Sequence, residues 1–440
     1  MKVSNWGNYP VIDAPVKGWE RGAELNSASA GTWIPRGMGR CYGDASLGAL
    51  MLSTEGMKRF LAFDESTGLL TCEAGVTFAD LIEWFLPRGW FPPVTPGTKF
   101  VSLGGALASD VHGKNHHVEG SISRHVEAFS LLTAQGERLH CSRTQHPEVF
   151  FATMGGMGLT GLIETITLRL RRVESAWIQT RHLKARHLGE IVELFDAHER
   201  ATYSVAWIDC LSGGTQRGRS ILMLGEHAPA DQVPGSDPLR IPAKLPLTVP
   251  FHLPGFSLNR YTIGFFNTVF YHKQRQREVR QLSTYENYFY PLDFIHHWNR
   301  IYGRRGFTQY QFVVPREAGS EVLPLILDRI RSAGLGSFLA VLKQFGPPDE
   351  GYLSFPMPGY TLALDFPLTR WLFPFLEELD AIIASYGGRV YLTKDVRLKP
   401  EMLGRMYPQL DVFRSVLQRL DPAGKVQSLQ SRRLGIHNWK

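Results

Sequence analysis

The sequence predicts an α+β protein of two domains, and three observations carry that prediction. At 440 residues the chain is too long for one ordinary hydrophobic core. Its first 175 residues place three glycine-rich turns, 36–43, 97–105 and 155–161, among short strands. From about residue 176, strand-like and helix-like stretches alternate in the manner of an antiparallel sheet with helices on one face.

Composition narrows the function classes. The chain is 43% hydrophobic and 20% charged, ordinary for a globular protein. Its formal net charge of +7 suits an anionic partner, but no basic run of five residues marks a nucleic-acid arm. The four cysteines form no CxxC and no close pair, which argues against a disulfide framework or a structural zinc site. No signal-like apolar run opens the chain and no stretch of 18 apolar residues occurs, so the expected location is the cytoplasm or the inner face of a membrane.

Taken in order, the polar stretch 1–30 has Trp6 and Trp19 as anchors. Residues 32–35 read as a short strand entering the first glycine turn, and 58–76 as a hairpin. Thr77 is an N-cap for an amphipathic helix over 78–86, which stops at Pro87 and Gly89. Residues 91–97 are a proline-stiffened approach to a stretch dense in glycine and histidine, 97–117. Strands are expected at 126–133, 137–141 and 162–170, with a short helix at 146–153. In the second part, strands are expected at 203–209, 309–314, 336–343 and 359–366, and helices at 320–333 and 370–386. Residues 226–275 are rich in Pro and Gly, then in aromatics, and suit a lid, a lipid-touching surface or core contacts under a long loop. The chain closes on a basic tail around 431–434.

Three chemistries lose their footing on spacing. Asp110, His112, His116 and His117 match no metal-ligand template. Gly156, Gly158 and Gly161 spell GxGxxG, but a helix precedes them and a strand follows, the reverse of a dinucleotide-binding turn. GxSxG and the phosphate-loop motif are absent. Several glycine turns gathered in one domain suit a large, flat, anionic ligand such as FAD, whose pyrophosphate needs converging N–H donors.

The motifs carry a resemblance. Pro35-Arg-Gly-Met-Gly-Arg-Cys-Tyr-Gly-Asp44, Leu103-Gly-Gly-Ala106, Asp110-Val-His-Gly-Lys-Asn-His-His117 and Gly158-Leu-Thr-Gly161 resemble the FAD domain of the vanillyl-alcohol-oxidase (PCMH-type) flavoproteins. Within that superfamily the chain is similar to the decaprenylphosphoryl-β-D-ribose 2′-oxidase family. The similarity continues in order through Gln309-Tyr-Gln-Phe312, Lys343-Gln-Phe-Gly346, Asp365-Phe-Pro367 and Lys394-Asp395.

The resemblance implies a PCMH-type FAD-binding domain at 1–175, a substrate domain with an antiparallel sheet and flanking helices at 176–390, and a segment at 391–440 returning to the first domain. It implies FAD-dependent oxidation of a ribose 2′-hydroxyl on a polyprenyl-phosphate-linked sugar to the 2′-keto sugar. A partner NAD(P)H-dependent keto-reductase then completes the epimerisation to the arabinose form. A soluble alditol or aldonolactone oxidase is the alternative.

Carried over by motif, the expected FAD contacts are Pro35, Arg36, Gly37, Met38, Gly39, Arg40, Cys41, Tyr42, Gly43, Asp44, Ala45, Gly97, Ser102, Leu103, Gly104, Gly105, Ser109, Asp110, Val111, His112, Ile163 and Tyr391. The expected substrate-binding residues are Lys114, Gln311, Lys343 and Thr361, with Lys394, His112 and Tyr42 as catalytic residues and no metal. Lys394 is expected at the junction of flavin and sugar, as a cation or an orienting group. His112 is expected as proton acceptor on its ordinary pKa.

Departures from the family pattern concern the pocket. Arg40 stands where many superfamily members attach FAD through histidine, so noncovalent FAD is expected. Ala363 and Thr361 replace a cysteine and an asparagine of the mycobacterial enzymes, and Val205 replaces a serine. The basic charge and the aromatics of 248–272 suit peripheral membrane contact; no nucleic-acid partner is expected.

Overall fold

The structure, a computed structural model, describes residues 1–25, 31–242 and 244–438; the end of the polar opening stretch, 26–30, lies outside them, as do Ala243 and residues 439–440. In chain order the first part contains β1 (Val16–Gly18), β2 (Ile34–Arg36), β3 (Met51–Ser53), β4 (Phe60–Asp64), β5 (Leu69–Glu73), α1 (Phe78–Phe85), α2 (Leu103–Ala108), β6 (Val126–Leu132), β7 (Arg138–Ser142), α3 (Pro147–Thr153) and β8 (Leu162–Arg169). Strands β1, β3 and β2 form a small parallel sheet in that order, and β7, β6, β8, β5 and β4 an antiparallel one. Thr77 caps α1 as its sequence suggests. Its hydroxyl accepts from the Asp80 N–H, and the Asp80 carboxylate returns to the Thr77 N–H, so two terminal donors are satisfied at once.

The second part contains β9 (Trp177–Ala185), α4 (Leu188–Ala197), β10 (Tyr203–Ile208), β11 (Ser220–His227), α5 (Arg260–Lys273), β12 (Glu278–Thr284), β13 (Phe307–Pro315), α6 (Gly319–Ser332), β14 (Val341–Phe345), β15 (Gly359–Pro367), α7 (Leu372–Ser385) and β16 (Arg389–Val390). Its strands make one antiparallel sheet in the order β12-β9-β11-β10-β14-β15-β13-β16. Alternation along the central strands sorts the two faces. Tyr310, Phe312 and Val314 of β13 and Leu362, Leu364 and Phe366 of β15 share a core with Val322, Leu323 and Ile326 of α6 and Leu376, Leu379 and Ile383 of α7. The residues between them, Gln309, Gln311, Ala363 and Asp365, line the opposite face. That face is turned towards the glycine turns of the first part.

The third segment carries α8 (Pro400–Met406), α9 (Leu410–Leu420) and α10 (Leu429–Arg433). Lys425 to Gln427 run beside Trp33, with Trp33 N–H to Lys425 O at 2.8 Å and Gln427 N–H to Trp33 O at 2.8 Å. The expected basic tail is therefore a built helix. Arg433 reaches Asp44 at 2.8 Å and Asp395 at 2.9 Å, tying the first glycine turn to the loop that carries Lys394.

Two further expectations change. The strand expected at 336–343 starts five residues later, at Val341, because 337–340 serve other partners: Ser337 N–H meets Cys210 Sγ and Phe338 O accepts from the Trp207 indole. The aromatic stretch contains α5, which turns Ile263, Asn267 and Tyr271 inward at helical spacing and leaves Tyr261, Phe265 and Val269 exposed.

Candidate active site

A cavity of about 1180 Å³ lies between the glycine turns and the exposed-strand face of the large sheet. Its first wall comes from residues 37–42, 95–105 and 157–163. The backbone there is bent where glycine is needed: Gly39 has φ +59° and Gly158 φ +77°. Among the described residues, no protein acceptor meets the N–H groups of Gly37, Met38, Gly39, Arg40 or Cys41. A Cβ at Gly97 would meet no protein atom within 4 Å, and one at Gly158 only Pro35 at 3.9 Å, so the space before them is free for a ligand. Arg40 lies over the Trp6 ring at 4.6 Å, and its buried Nε has no protein partner. A turn with unused N–H donors, an orphaned guanidinium nitrogen and side-chain-free glycines fits a flat anionic cofactor.

The second wall holds the ionisable groups. Lys394, from the loop after β16, sits with its ammonium 4.0 Å from the centre of the Tyr42 ring. Burial lowers its pKa to about 8, with Asp365 opposing that shift. Lys343, on β14, is lowered to about 7 by burial and by the charge of Lys394. Lys114 is also lowered to about 7 by burial, and its ammonium is engaged by the Tyr288 carbonyl and lies over the Tyr288 ring at 4.4 Å.

His112, expected as the proton acceptor, is a weakened base here. Burial first, then the charges of Lys343, His116 and Lys394, press its pKa well below the ordinary imidazole value. Its Nε2 lies 3.0 Å from Gln311 Nε2, whose amide also donates to Thr361 Oγ1 at 3.3 Å. The ring is packed against Phe345, with centroids 4.7 Å apart, and Tyr391, 5.2 Å apart. His112 is thus a neutral imidazole whose Nε2 already has a neighbour.

Of the expected residues, Pro35, Gly37, Met38, Gly39, Arg40, Cys41, Tyr42, Ala45, Gly97, Ser102, Gly104, Gly105, Ser109, Val111, His112, Lys114, Ile163, Gln311, Lys343, Tyr391 and Lys394 line the cavity. Six expected residues stand behind the wall. Arg36 turns away to Ser4 O and Asn5. Gly43 abuts the Asp395 carbonyl, and Asp44 is taken by Arg433. Leu103 is core, Asp110 bonds Ser354 and the Ser123 N–H, and Thr361 is buried beneath Gln311. The four residues weighed as metal ligands diverge: Asp110 to Ser354, His112 to Gln311, His116 to Asp349 at 2.8 Å and His117 to Ala201 O at 2.8 Å.

Residue-by-residue transfer missed Gln309, Asp365, Trp6 and Trp298, which also line the cavity. Gln309 and Asp365 were legible in principle, because each sits two positions from an expected lining residue on its strand: Gln311 and Ala363. Trp6 lies far from the turns in sequence, and only the fold brings it to Arg40.

Comparisons with known proteins bear on the cofactor and the reaction class. The model of a FAD binding domain matches residues 24–142, and that of D-arabinono-1,4-lactone oxidase matches residues 304–434. Together with the cavity they define a FAD-dependent oxidoreductase acting on a CH–OH group. The chain is 38% identical over 413 residues to the decaprenylphosphoryl-β-D-ribose oxidase of Mycolicibacterium smegmatis, covering 92% of this chain and 89% of that one. It is 24% identical to the L-gulono-1,4-lactone dehydrogenase of Mycobacterium tuberculosis, over 88% and 86% of the two chains. The chain belongs to the decaprenylphosphoryl-β-D-ribose oxidase family.

The cofactor is FAD, held without a covalent bond. Arg40 offers no nucleophile, and burial raises the pKa of the neighbouring Cys41 thiol and so keeps it protonated. Acid precipitation of the purified holoprotein is expected to leave the yellow flavin in the supernatant, read by its absorption. Flavin retained in the pellet contradicts the noncovalent assignment.

Proposed function

We propose that the chain oxidises the ribose 2′-hydroxyl of a polyprenylphosphoryl-β-D-ribose to the 2′-keto sugar, the first half of an epimerisation to the arabinose form. The observation that carries this reading is the pair of partly buried lysines, Lys343 and Lys394, facing one cavity with the flavin bed, neither in an ion pair within 4 Å among the described residues. Partly desolvated ammonium groups left without a bonded carboxylate suit a ligand that brings its own negative charge. The 38% identity to an enzyme whose name specifies that lipid-linked ribose supports the substrate class. We take 1–175, 176–390 and 391–440 as the FAD domain, the substrate domain and the returning segment.

Bound FAD supplies the hydride acceptor for the carbinol carbon. The chain's own residues divide the remaining work. Lys394 donates to the sugar oxygen and stabilises the negative charge that grows there as the hydroxyl proton passes to solvent water. Lys343 and the free donors of Lys114 hold the phosphate. Gln311, backed by Thr361 and held beside His112, orients the sugar. His112 positions Gln311 rather than taking the proton, because its depressed pKa makes it a weak base and its Nε2 already faces the Gln311 amide. Tyr42 supports the Lys394 ammonium. The keto product needs an NAD(P)H-dependent keto-reductase as partner.

Lys394→Ala is expected to keep FAD but slow anaerobic flavin reduction by a polyprenylphosphoryl ribose by about 10² or more. Stopped-flow bleaching of the flavin band measures it. Normal reduction removes Lys394 from the mechanism, while reduction by free aldonolactones alone favours the soluble-sugar alternative.

A lipid-bearing substrate implies a membrane encounter. Phe266 and Phe270 of α5 line the cavity, while Phe256, Tyr261 and Phe265 beside them are 79%, 77% and 73% exposed. We place peripheral membrane contact at this face, which also carries exposed Arg260 and Lys273. No helix among the described residues is long and apolar enough to cross a membrane. The double variant Phe256→Ser/Phe265→Ser is expected to partition about tenfold less onto anionic phospholipid vesicles in co-sedimentation. Unchanged partition refutes contact through this face.

A further inference from the structure

One row of contacts runs beneath Lys394 from the first glycine turn into the large sheet. The Lys394 ammonium rests on the Tyr42 ring, 4.0 Å from its centre. Gln309 Nε2 approaches the Tyr42 hydroxyl at 3.4 Å and donates to Asp365 Oδ1 at 2.6 Å. The Tyr302 hydroxyl donates to Asp365 Oδ2 at 3.0 Å, and the Asp365 N–H donates to Ser337 Oγ at 3.0 Å. Gln309 and Asp365 are directly paired across β13 and β15. Tyr302 is fixed in turn by stacking on Phe307, with centroids 4.1 Å apart. Every oxygen of this carboxylate is engaged, yet Asp365 is only 1% exposed. A carboxylate that deep is costly unless hydrogen bonds and a nearby cation offset the loss of water. Gln309 and Tyr302 supply the hydrogen bonds, and Lys394 is the cation.

We infer that Asp365 is a positioning residue for Lys394: through Gln309 it fixes the Tyr42 ring on which the ammonium rests, and its charge sets the pH range in which that ammonium persists. The inference rests on the reading of Lys394 given above.

The groups facing Lys394 come from four places. The first glycine turn brings Cys41 and Tyr42, β14 brings Lys343, the segment after α2 brings His112, and β15 brings Asp365. Burial keeps Cys41 and Tyr42 protonated and His112 neutral, and Lys343 is a like charge. Beside Asp365, Tyr302 also stays protonated. That leaves Asp365 as the negative charge sustaining Lys394 near neutral pH. Burial raises the Asp365 pKa to about 6 and lowers that of Lys394 to about 8. Between those values both are charged; below them Asp365 is neutral, above them Lys394 is neutral. Removing the Asp365 charge lowers the Lys394 pKa further.

The test uses the full-length holoprotein and the visible spectrum of its bound FAD, titrated from pH 5 to pH 9.5 without substrate. The wild type is expected to show inflections near 6 and 8. Asp365→Asn should lose the lower inflection and move the upper one down by about one pH unit. Lys394→Met should lose the upper one, and Asp365→Glu should retain both. An upper inflection that is absent in the wild type, persists in Lys394→Met or is unmoved in Asp365→Asn overturns the inference. So does loss of FAD from Asp365→Asn, because a residue acting on Lys394 leaves the flavin bed loaded. The pH profile of flavin reduction should follow the same two limbs. A substrate that fails to reduce the flavin at any pH sinks the proposed function, while the spectral titration still decides the role of Asp365.

Discussion

Holding several partly buried ammonium groups around one cavity is the constraint on which the rest of this structure depends. Lys114, Lys343 and Lys394 are all pushed towards neutrality by loss of water, and Lys343 feels the repulsion of Lys394 as well. Such an arrangement holds only if the walls are rigid and the opposing charges few and well placed. The alternation of the central strands supplies the rigidity. One face of β13 and β15 is locked into the helical core, so the other must present Gln309, Gln311 and Asp365 to the cavity.

The glycine turns meet that sheet because the end of the chain ties them to it. Arg433 spans Asp44, in the first turn, and Asp395, next to Lys394. Both carboxylates are buried, and removing the guanidinium would leave Asp44 without its ion-pair partner and Asp395 with only the Arg397 and Leu398 N–H groups. Gly43 packs so closely on the Asp395 carbonyl that a Cβ there would lie 1.9 Å from it. The flavin bed and Lys394 are therefore one construction, though they lie about 350 residues apart. The Asp44 side chain is part of this joint.

Much of this was legible in the sequence and part was not, for physical reasons. Local signals read well: the Thr77 cap, the hairpins and the helices at 319–332 and 372–385 depend on neighbours in sequence. The glycine turns pointed to a large anionic ligand because glycine marks backbone that must approach closely. The strand beginning at Val341 was misplaced because its start is decided by Cys210, Trp207 and Asp365, distant partners with no local signature. Motif transfer named Asp44, Asp110 and Thr361 because they sit inside cofactor and pocket motifs. Their side chains instead bind Arg433, Ser354 and Gln311. His112 looked like a base from its ordinary pKa, and only the packing of Phe345, Tyr391 and two lysines shows why it is a weak one.

The central claim is that these lysines await an anion. It is tested most directly by counting protons as the anion arrives. Farnesyl phosphate titrated into the holoprotein at pH 8, by calorimetry in buffers of different ionisation enthalpy, reports protons taken up on binding. With Lys343 and Lys114 lowered to about 7, a bound phosphate should raise their pKa values and draw in about one proton per ligand, and fewer in Lys343→Met. Binding with no proton uptake, or uptake unchanged in Lys343→Met, would contradict the account.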